Sequence, residues 1–359
     1  MKNQRNIFTI FLLLNSLCTL NGQAEFSQKM IVNVPVADLR AQPQASTSDL
    51  QLPTSDLTNS LQITQLLLGE HILAHEEYID ENSTVWFNVS TLQQEYYHVP
   101  HGWHGFPGWM QANQLIAVND YPPHNLVINN LLANIFDELG NTIYTLSIGT
   151  RLHGTQTTSN VWSVRLPDGK LAFINDSDVC FIQQQVHESN NALQKSIALT
   201  AIRFIGSFYS WGGRSAQNDQ LGISSVDCSA LIHLSFLAHG LQIPRMSHEQ
   251  FLRSHKIELG SDLQPGDLIF FASIKKRSTR MDHVMLYLGD NQLLEATFAD
   301  AHTVRLVSFQ QRMGKPCSDM KSGDIVDEEF DQFYVYFSSF LRDSALLQSL
   351  RTDALNHQY

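Results

Sequence analysis

Cys228 stands in the run Val226-Asp227-Cys228-Ser229, and His283 in Asp282-His283-Val284. A thiol and an imidazole can together perform acyl transfer: the thiolate attacks a carbonyl carbon and the imidazole carries the proton. Behind Cys228, residues Leu231, Ile232, Leu234, Ser235 and Leu237 recur at helical spacing up to Gly240, a natural residue just past a helix end. The spacing therefore predicts that Cys228 lies at or near the first turn of a helix. There the unpaired backbone N–H groups and the helix dipole stabilise a thiolate. The same N–H groups can help hold an oxyanion. The plain alternative is a small buried cysteine that happens to begin a helix.

The base is less determined, because the chain holds 15 histidines. His233 and His239 share the Cys228 helix, where surface or helix-end roles suit them. His248 and His255 fall in a helix expected after Arg245-Met246-Ser247. His283 differs: it opens the strand Val284-Met285-Leu286-Tyr287-Leu288, which ends in the turn Gly289-Asp290-Asn291. A histidine fixed at a strand start and facing a helix N-terminus has the geometry that a Cys–His pair needs.

The elements that must position these residues occupy only part of the chain. Its 359 residues suffice for about two or three domains. A formal net charge of -12 argues against nucleic-acid binding, which needs clustered Lys and Arg. The dense basic run from Ile274 to Arg280 reads as a solvated loop. Residues 1–24 read as a secretory signal peptide: a basic start, a short apolar stretch from Ile7 to Leu14, and Gly22-Gln23-Ala24 as the cleavage site. Cys18 lacks the small residue expected just upstream of a lipidated cysteine. No later segment is long and apolar enough to be a membrane span. The mature protein is expected to be exported, to the periplasm or the exterior, and monomeric. Cleavage would leave Cys180, Cys228 and Cys317, an odd number, so at least one thiol stays free unless it pairs between chains. Cys180 and Cys317 lack metal-ligand spacing, and neither metal nor cofactor is expected.

Residues 28–118 and 121–185 show short strands and turn chemistry with no sustained helical period. Val85-Trp86-Phe87-Asn88-Val89 and Val161-Trp162-Ser163-Val164-Arg165-Leu166 are strong strands, and Pro167-Asp168-Gly169-Lys170 is a hairpin turn. Residues from Ala45 to Ser60 read as a loop. Two small all-β barrels fit this pattern better than one large sandwich. Near Ser189 the composition changes. Leu193, Ile197, Leu199, Ile202, Ile205 and Phe208 predict an amphipathic helix over Ala192 to Phe208, with Asn190 or Asn191 as its cap. It opens a third domain over 190–341, and the tail over 342–359 reads as polar and fraying. The fold class is α+β.

Five elements in order carry a family resemblance. They are Tyr209-Ser210-Trp211-Gly212-Gly213, Val226-Asp227-Cys228-Ser229, Ile243-Pro244-Arg245-Met246-Ser247-His248-Glu249-Gln250, the run from Leu263 to Phe271, and Asp282-His283-Val284-Met285-Leu286-Tyr287-Leu288-Gly289. From about Ala192 to Phe309 the chain resembles the NlpC/P60 cysteine peptidases, whose catalytic domain is papain-like. The two β regions resemble bacterial SH3-type (SH3b) domains, on Asp38-Leu39-Arg40-Ala41-Gln42-Pro43 and the run Gly108 to Leu115 in the first. In the second the resemblance rests on Trp162-Ser163-Val164 and the run Asp168 to Ile174. The resemblance implies that Cys228 is the nucleophile and His283 the base, with Tyr209, Asp227 and Ser229 shaping or binding the substrate. The implied substrates are peptidoglycan stem peptides, cut between D-γ-glutamate and a diamino acid. Two SH3b domains ahead of the catalytic domain resemble the dipeptidyl-peptidase branch, which acts on peptides with a free N-terminal L-alanine. Asp227 would then meet the substrate ammonium, cap the helix, or both. The family's third polar residue, commonly His, is here Glu295, which either orients the imidazole or marks a weakened site. Residues Ser215 to Ser224 form a further departure, an insert before the nucleophile. Two other readings stay open: a wall-binding protein that no longer cleaves, and a different acyl transfer on the same scaffold.

Overall fold

The computed structural model describes residues 27–44, 61–118, 120–182, 190–216, 225–276, 279–298, 302–328 and 331–356. The expected leader and residues 45–60 lie outside the described residues, as does most of the 215–224 insert.

Seven strands form the first unit: β1 (Gln28–Val32), β2 (Val36–Arg40), β3 (Gln62–Leu67), β4 (His71–Ile79), β5 (Val85–His98), β6 (Gly102–Gln111) and β7 (Leu115–Ala117). They pair antiparallel in the order β3-β2-β6-β5-β4-β1-β7. Along β6, Phe106, Gly108 and Met110 alternate inward, the period of a half-buried strand. Val32, Leu39, Ile72, Val89 and Met110 fill the core. Trp86 is buried, as its strand position requires, and its indole N–H is satisfied by Asp80 Oδ2 at 3.0 Å.

The second unit is β8 (Leu126–Ile128), β9 (Leu132–Phe136), β10 (Thr142–Ser147), β11 (Arg151–Thr158), β12 (Val161–Arg165), β13 (Leu171–Asn175) and β14 (Val179–Phe181). Its order, β10-β9-β13-β12-β11-β8-β14, repeats the first unit strand for strand. The expected hairpin at Pro167-Asp168-Gly169-Lys170 joins β12 to β13, with Gly169 at φ 85°.

The third unit begins with α1 (Asn190–Ile202), which buries Leu193, Ile197 and Ala201. This helix is shorter than the predicted Ala192–Phe208. It tightens into turns at Phe204 and Ile205, breaks at Gly206 (φ 85°), and releases Phe208 into a strand. Three two-residue strands follow: β15 (Phe208–Tyr209), β16 (Arg214–Ser215) and β17 (Ser225–Val226). β17 lies between the other two and runs directly into α2 (Cys228–Leu237). Then come α3 (Ser247–Arg253), β18 (His255–Ile257), β19 (Leu268–Ser273), β20 (His283–Gly289), β21 (Gln292–Ala296), β22 (Val304–Ser308), α4 (Phe309–Met313), β23 (Ile325–Glu328) and β24 (Asp331–Ser339). The large sheet has the order β18-β24-β19-β20-β21-β22, with β23 paired to β24. One face of it packs on α1 and α2 through Phe270, Val284, Leu286 and Leu294. The other buries Phe271, Met285, Phe309 and Phe337.

Two expectations need correction. Over its described residues, 342–356, the tail is not a frayed polar end: Ser344–Asn356 is a helix, α5, whose Leu347 and Leu350 are buried in the core around α2. Asp343 anchors its start by accepting from the backbone N–H groups of Ala345 and Leu346. His255 lies on β18 rather than in the preceding helix, because α3 stops at Arg253.

None of the three described cysteines is in a disulfide. Cys317 donates to the Gly260 carbonyl at 2.9 Å, and burial pushes its thiol pKa up to about 11. Cys180 is half-buried beside the Asn129 amide. Among the described residues no helix is long and apolar enough to cross a membrane.

Candidate active site

Cys228 is the first residue of α2. Asp227, extended at φ -88° and ψ 177°, caps the helix by accepting from the Ala230 N–H at 2.8 Å. Such a cap fixes the first turn and directs its N–H groups at whatever lies before it. All ten residues of α2 are buried, so the nucleophile stands at the end of a rod clamped on every side.

Asp227 does more than cap. Its Oδ1 also accepts from Ser229 Oγ at 3.1 Å and Arg245 Nη1 at 2.9 Å. Its Oδ2 accepts from Gly212 N at 3.1 Å and Arg245 Nη2 at 2.7 Å. A carboxylate offers about four lone-pair sites, so these donors fill it. The capping role expected for Asp227 is visible in this geometry; a substrate ammonium would have to displace a bidentate guanidinium.

His283, at the start of β20, faces the Cys228 side chain closely enough for the thiol to raise its pKa. Its Nε2 lies 3.0 Å from Glu295 Oε2 on β21, which leaves Nδ1 for the thiol. Burial would push the imidazole pKa down. Its interactions with Cys228 and Glu295 outweigh burial and raise it to about 9. Glu295 is fully buried, which by itself raises a carboxyl pKa. Its bond to His283, with Arg312 and Arg305 beside it, instead holds the group well below the usual carboxylate range. The arrangement Cys228–His283–Glu295 thus favours an imidazolium beside the thiol and backed by a carboxylate, the nucleophile–base–orienter logic of acyl-transfer sites.

Tyr209 arrives on β15, paired in parallel with β17, so that Tyr209 lies opposite Val226. It is buried, and burial comes first among the causes that lift its phenol well above 10, followed by the charges of Cys228 and Asp227. It therefore remains a hydroxyl donor beside the thiol. Ser229 Oγ bridges Asp227 and Arg245.

The structure brings Tyr209, Asp227, Cys228, Ser229, His283 and Glu295 into one place. It also adds residues that the motif reading leaves out. Arg245, fully buried, links Asp227 to Thr64 Oγ1 of the first unit at 2.9 Å. Arg214 pairs with Glu70 at 2.7 Å and donates to His233 Nε2 at 3.1 Å. His233, expected at the surface, is completely buried; burial and the nearby Arg214 and Arg245 charges hold it neutral. The only advance signal for Arg245 is its place in the motif after the nucleophile helix; for Arg214 there is none.

The first unit reaches α3 through the β5–β6 hairpin. Glu95 pairs with Arg253 at 2.6 Å, and Trp103 lies under the Arg253 guanidinium. The backbone N–H of Tyr97 approaches Glu249 Oε1 at 3.5 Å. Phe106 is instead part of the first unit's own core.

Part of the chain is similar to known proteins. Residues 206–326 match the model of the NlpC/P60 family. The peptidoglycan endopeptidase RipA of Mycobacterium tuberculosis is 38% identical over 98 residues, covering 26% of this chain and 20% of RipA. The probable endopeptidase p60 of Listeria seeligeri is 33% identical over 100 residues, covering 28% of this chain and 17% of p60. The chain thus spans about a fifth of the length of these relatives. A crystal structure of an NlpC/P60 family protein from Bacillus cereus superposes with a TM-score of 0.62 at 24% identity. It covers 78% of this chain and 94% of that one. The likeness extends well beyond residues 206–326 and is one of fold.

Proposed function

With an NlpC/P60 domain over residues 206–326 as the premise, we propose that the protein is a secreted cysteine peptidase of peptidoglycan stem peptides. The bond cleaved is the one between D-γ-glutamate and the diamino acid. The observation that carries this reading is the capped Cys228 at a helix start, facing an imidazole whose Nε2 meets a buried carboxylate.

Cys228 Sγ attacks the γ-carbonyl of glutamate. The oxyanion that forms is met by backbone N–H groups of the α2 start and by the Tyr209 hydroxyl. His283 gives its proton to the departing amine as the C–N bond breaks, leaving a thioester on Cys228. Water then attacks the thioester, giving its proton to His283, and the thiolate departs. Glu295 supports the imidazolium throughout. Asp227 and Ser229 hold the α2 start rather than the substrate.

The two N-terminal units are proposed as SH3b domains. With the first packed against α3, they favour released peptides with a free N-terminal L-alanine. The test is mass spectrometry of L-Ala-γ-D-Glu-diaminopimelate incubated with the protein, beside an N-acetylated version. Release of L-Ala-γ-D-Glu from the free-amine peptide alone is the expected result. Cleavage of both would remove the free-amine preference. Cys228→Ala should abolish turnover and leave folding intact; hydrolysis by that variant would reject the assignment.

A further inference from the structure

We propose that Arg305 and Arg312 are positioning residues for the Cys228–His283 pair, together fixing the Glu295 carboxylate against the outer nitrogen of the imidazole. This rests on the acyl-transfer reading above, and it concerns residues on elements that follow the histidine strand and belong to none of the five motifs.

Arg305, directly across β22 from Glu295, donates through Nε at 3.1 Å and Nη2 at 2.9 Å to Glu295 Oε1. Arg312, on α4, donates through Nε at 3.2 Å to Oε2, the same oxygen that His283 Nε2 meets at 3.0 Å. Each carboxylate oxygen therefore has its own guanidinium. Both prongs of Arg305 converge on Oε1 and hold that oxygen, while Arg312 and His283 hold Oε2, so the carboxylate is fixed from both ends. Arg312 is itself held: its guanidinium lies 4.7 Å from the centre of the Phe271 ring, and its Nη1 meets Glu328. Phe271 is also a ring neighbour of His283, at 6.3 Å.

The need for such a clamp follows from the choice of residue. A histidine in the third position would be a neutral hydrogen-bond partner. A buried glutamate can instead take a proton, and would then cease to support the imidazolium. Two guanidiniums oppose that protonation. The charged groups around Glu295 are His283 on β20, Arg305 on β22 and Arg312 on α4, with Glu328 on β23 beyond Arg312 and Cys228 on α2 beyond His283. With Cys228 as thiolate and His283 protonated, three positive charges face three negative ones.

The test reads the thiol rather than a substrate. Cys228 is alkylated with iodoacetamide between about pH 5 and about pH 8.5 in the wild type, in R305Q/R312Q and in R305K/R312K, and the modified cysteine is identified by mass spectrometry. Without the guanidiniums, Glu295 should take a proton in mild acid. Alkylation of R305Q/R312Q should then fall about tenfold at the acid end, for each unit that the pair shifts, while remaining within about twofold of wild type at the alkaline end. R305K/R312K, which keeps the charge, should retain most of the acid-side reactivity. Adding the Arg changes to Glu295→Gln should cause no further pH-dependent loss.

An unchanged profile in R305Q/R312Q, or an equal loss at every pH, would overturn the proposal. If that variant does not fold by circular dichroism, R312Q alone and the lysine pair supply the same comparison. A wild-type Cys228 that is unreactive at every pH would overturn both this inference and the functional reading. A reactive Cys228 with no stem-peptide cleavage would overturn the substrate assignment alone.

Discussion

The two seven-stranded sheets meet the third unit through the same turn and use it differently. In the first the turn is Leu67-Leu68-Gly69-Glu70; in the second it is Ser147-Ile148-Gly149-Thr150. The backbone pattern is shared: Gly69 N bonds Val32 O and Gly149 N bonds Ile128 O, while Glu70 N bonds Leu67 O and Thr150 N bonds Ser147 O. Both glycines have φ near 85°. Past the glycine the two part. Glu70 accepts both terminal nitrogens of Arg214, whose side chain has no exposure and which also reaches His233 of α2. Thr150 turns back to the Ser147 carbonyl at 2.7 Å, and a Cβ on Gly149 would stand 3.1 Å from Leu234 and Leu237 of α2. One joint is ionic; the other is uncharged and tight, with a polar bond from the Ala216 backbone N–H to Ser147 Oγ at 2.8 Å. A repeated backbone thus sets where the joint forms, and single side chains set its kind.

The strongest way to break the contrast is Glu70→Ala. It leaves Arg214 buried and unpaired, and should cost about 3–5 kcal/mol in urea unfolding. Replacing Glu70 and Arg214 together by apolar residues should cost much less. If the single change is as mild as the double, the first joint is not ionic in effect.

Titration separates both joints from the catalytic pair. The folded pKa of His283, about 9, lies above its ordinary 6.5. Its contribution to stability is therefore complete below about pH 6.5, and is lost as pH rises through about 9. Thermal melts across that window should fall less in Cys228→Ala, because Cys228 is the first of the causes that raise His283. An equal fall in both would place the titrating group elsewhere.

For the uncharged joint, Gly149→Ala should cost about 1–3 kcal/mol from the strained φ and the close leucines. It should also slow turnover, since those leucines belong to the nucleophile helix. Least affected should be Thr150→Val, at about 1 kcal/mol for one hydrogen bond. A loss comparable to that of Glu70→Ala would erase the distinction between the joints.

The parts of the site readable in advance were those encoded locally. Cys228 was marked by a helical spacing that follows it and His283 by the strand that it opens. Glu295 followed from the family resemblance, which implies a polar third residue on the strand after the histidine strand. Arg214, Arg245, Arg305 and Arg312 were not legible as partners, because each acts across elements that only the fold brings together. Arg245 meets Thr64 across 181 residues of chain. The repeated sheet order was also hidden: the two units share strand order and the backbone of a turn rather than residues. Helix α5 was a different kind of miss. Leu346, Leu347 and Leu350 recur at helical spacing in Ser344–Asn356, but the surrounding Arg, Asp and Gln masked the narrow apolar stripe.

The three described thiols form a graded set of internal reporters. Cys228, paired with its imidazole, should record whether the catalytic machinery is assembled. Cys180, half-buried at the second sheet, should record local breathing there. Cys317 is sealed under Gly260 with its ionisation suppressed, so it should stay unlabelled until the large sheet comes apart. A single alkylation experiment could then distinguish a variant that has lost its chemistry from one that has lost its shape, with no dye or tag added.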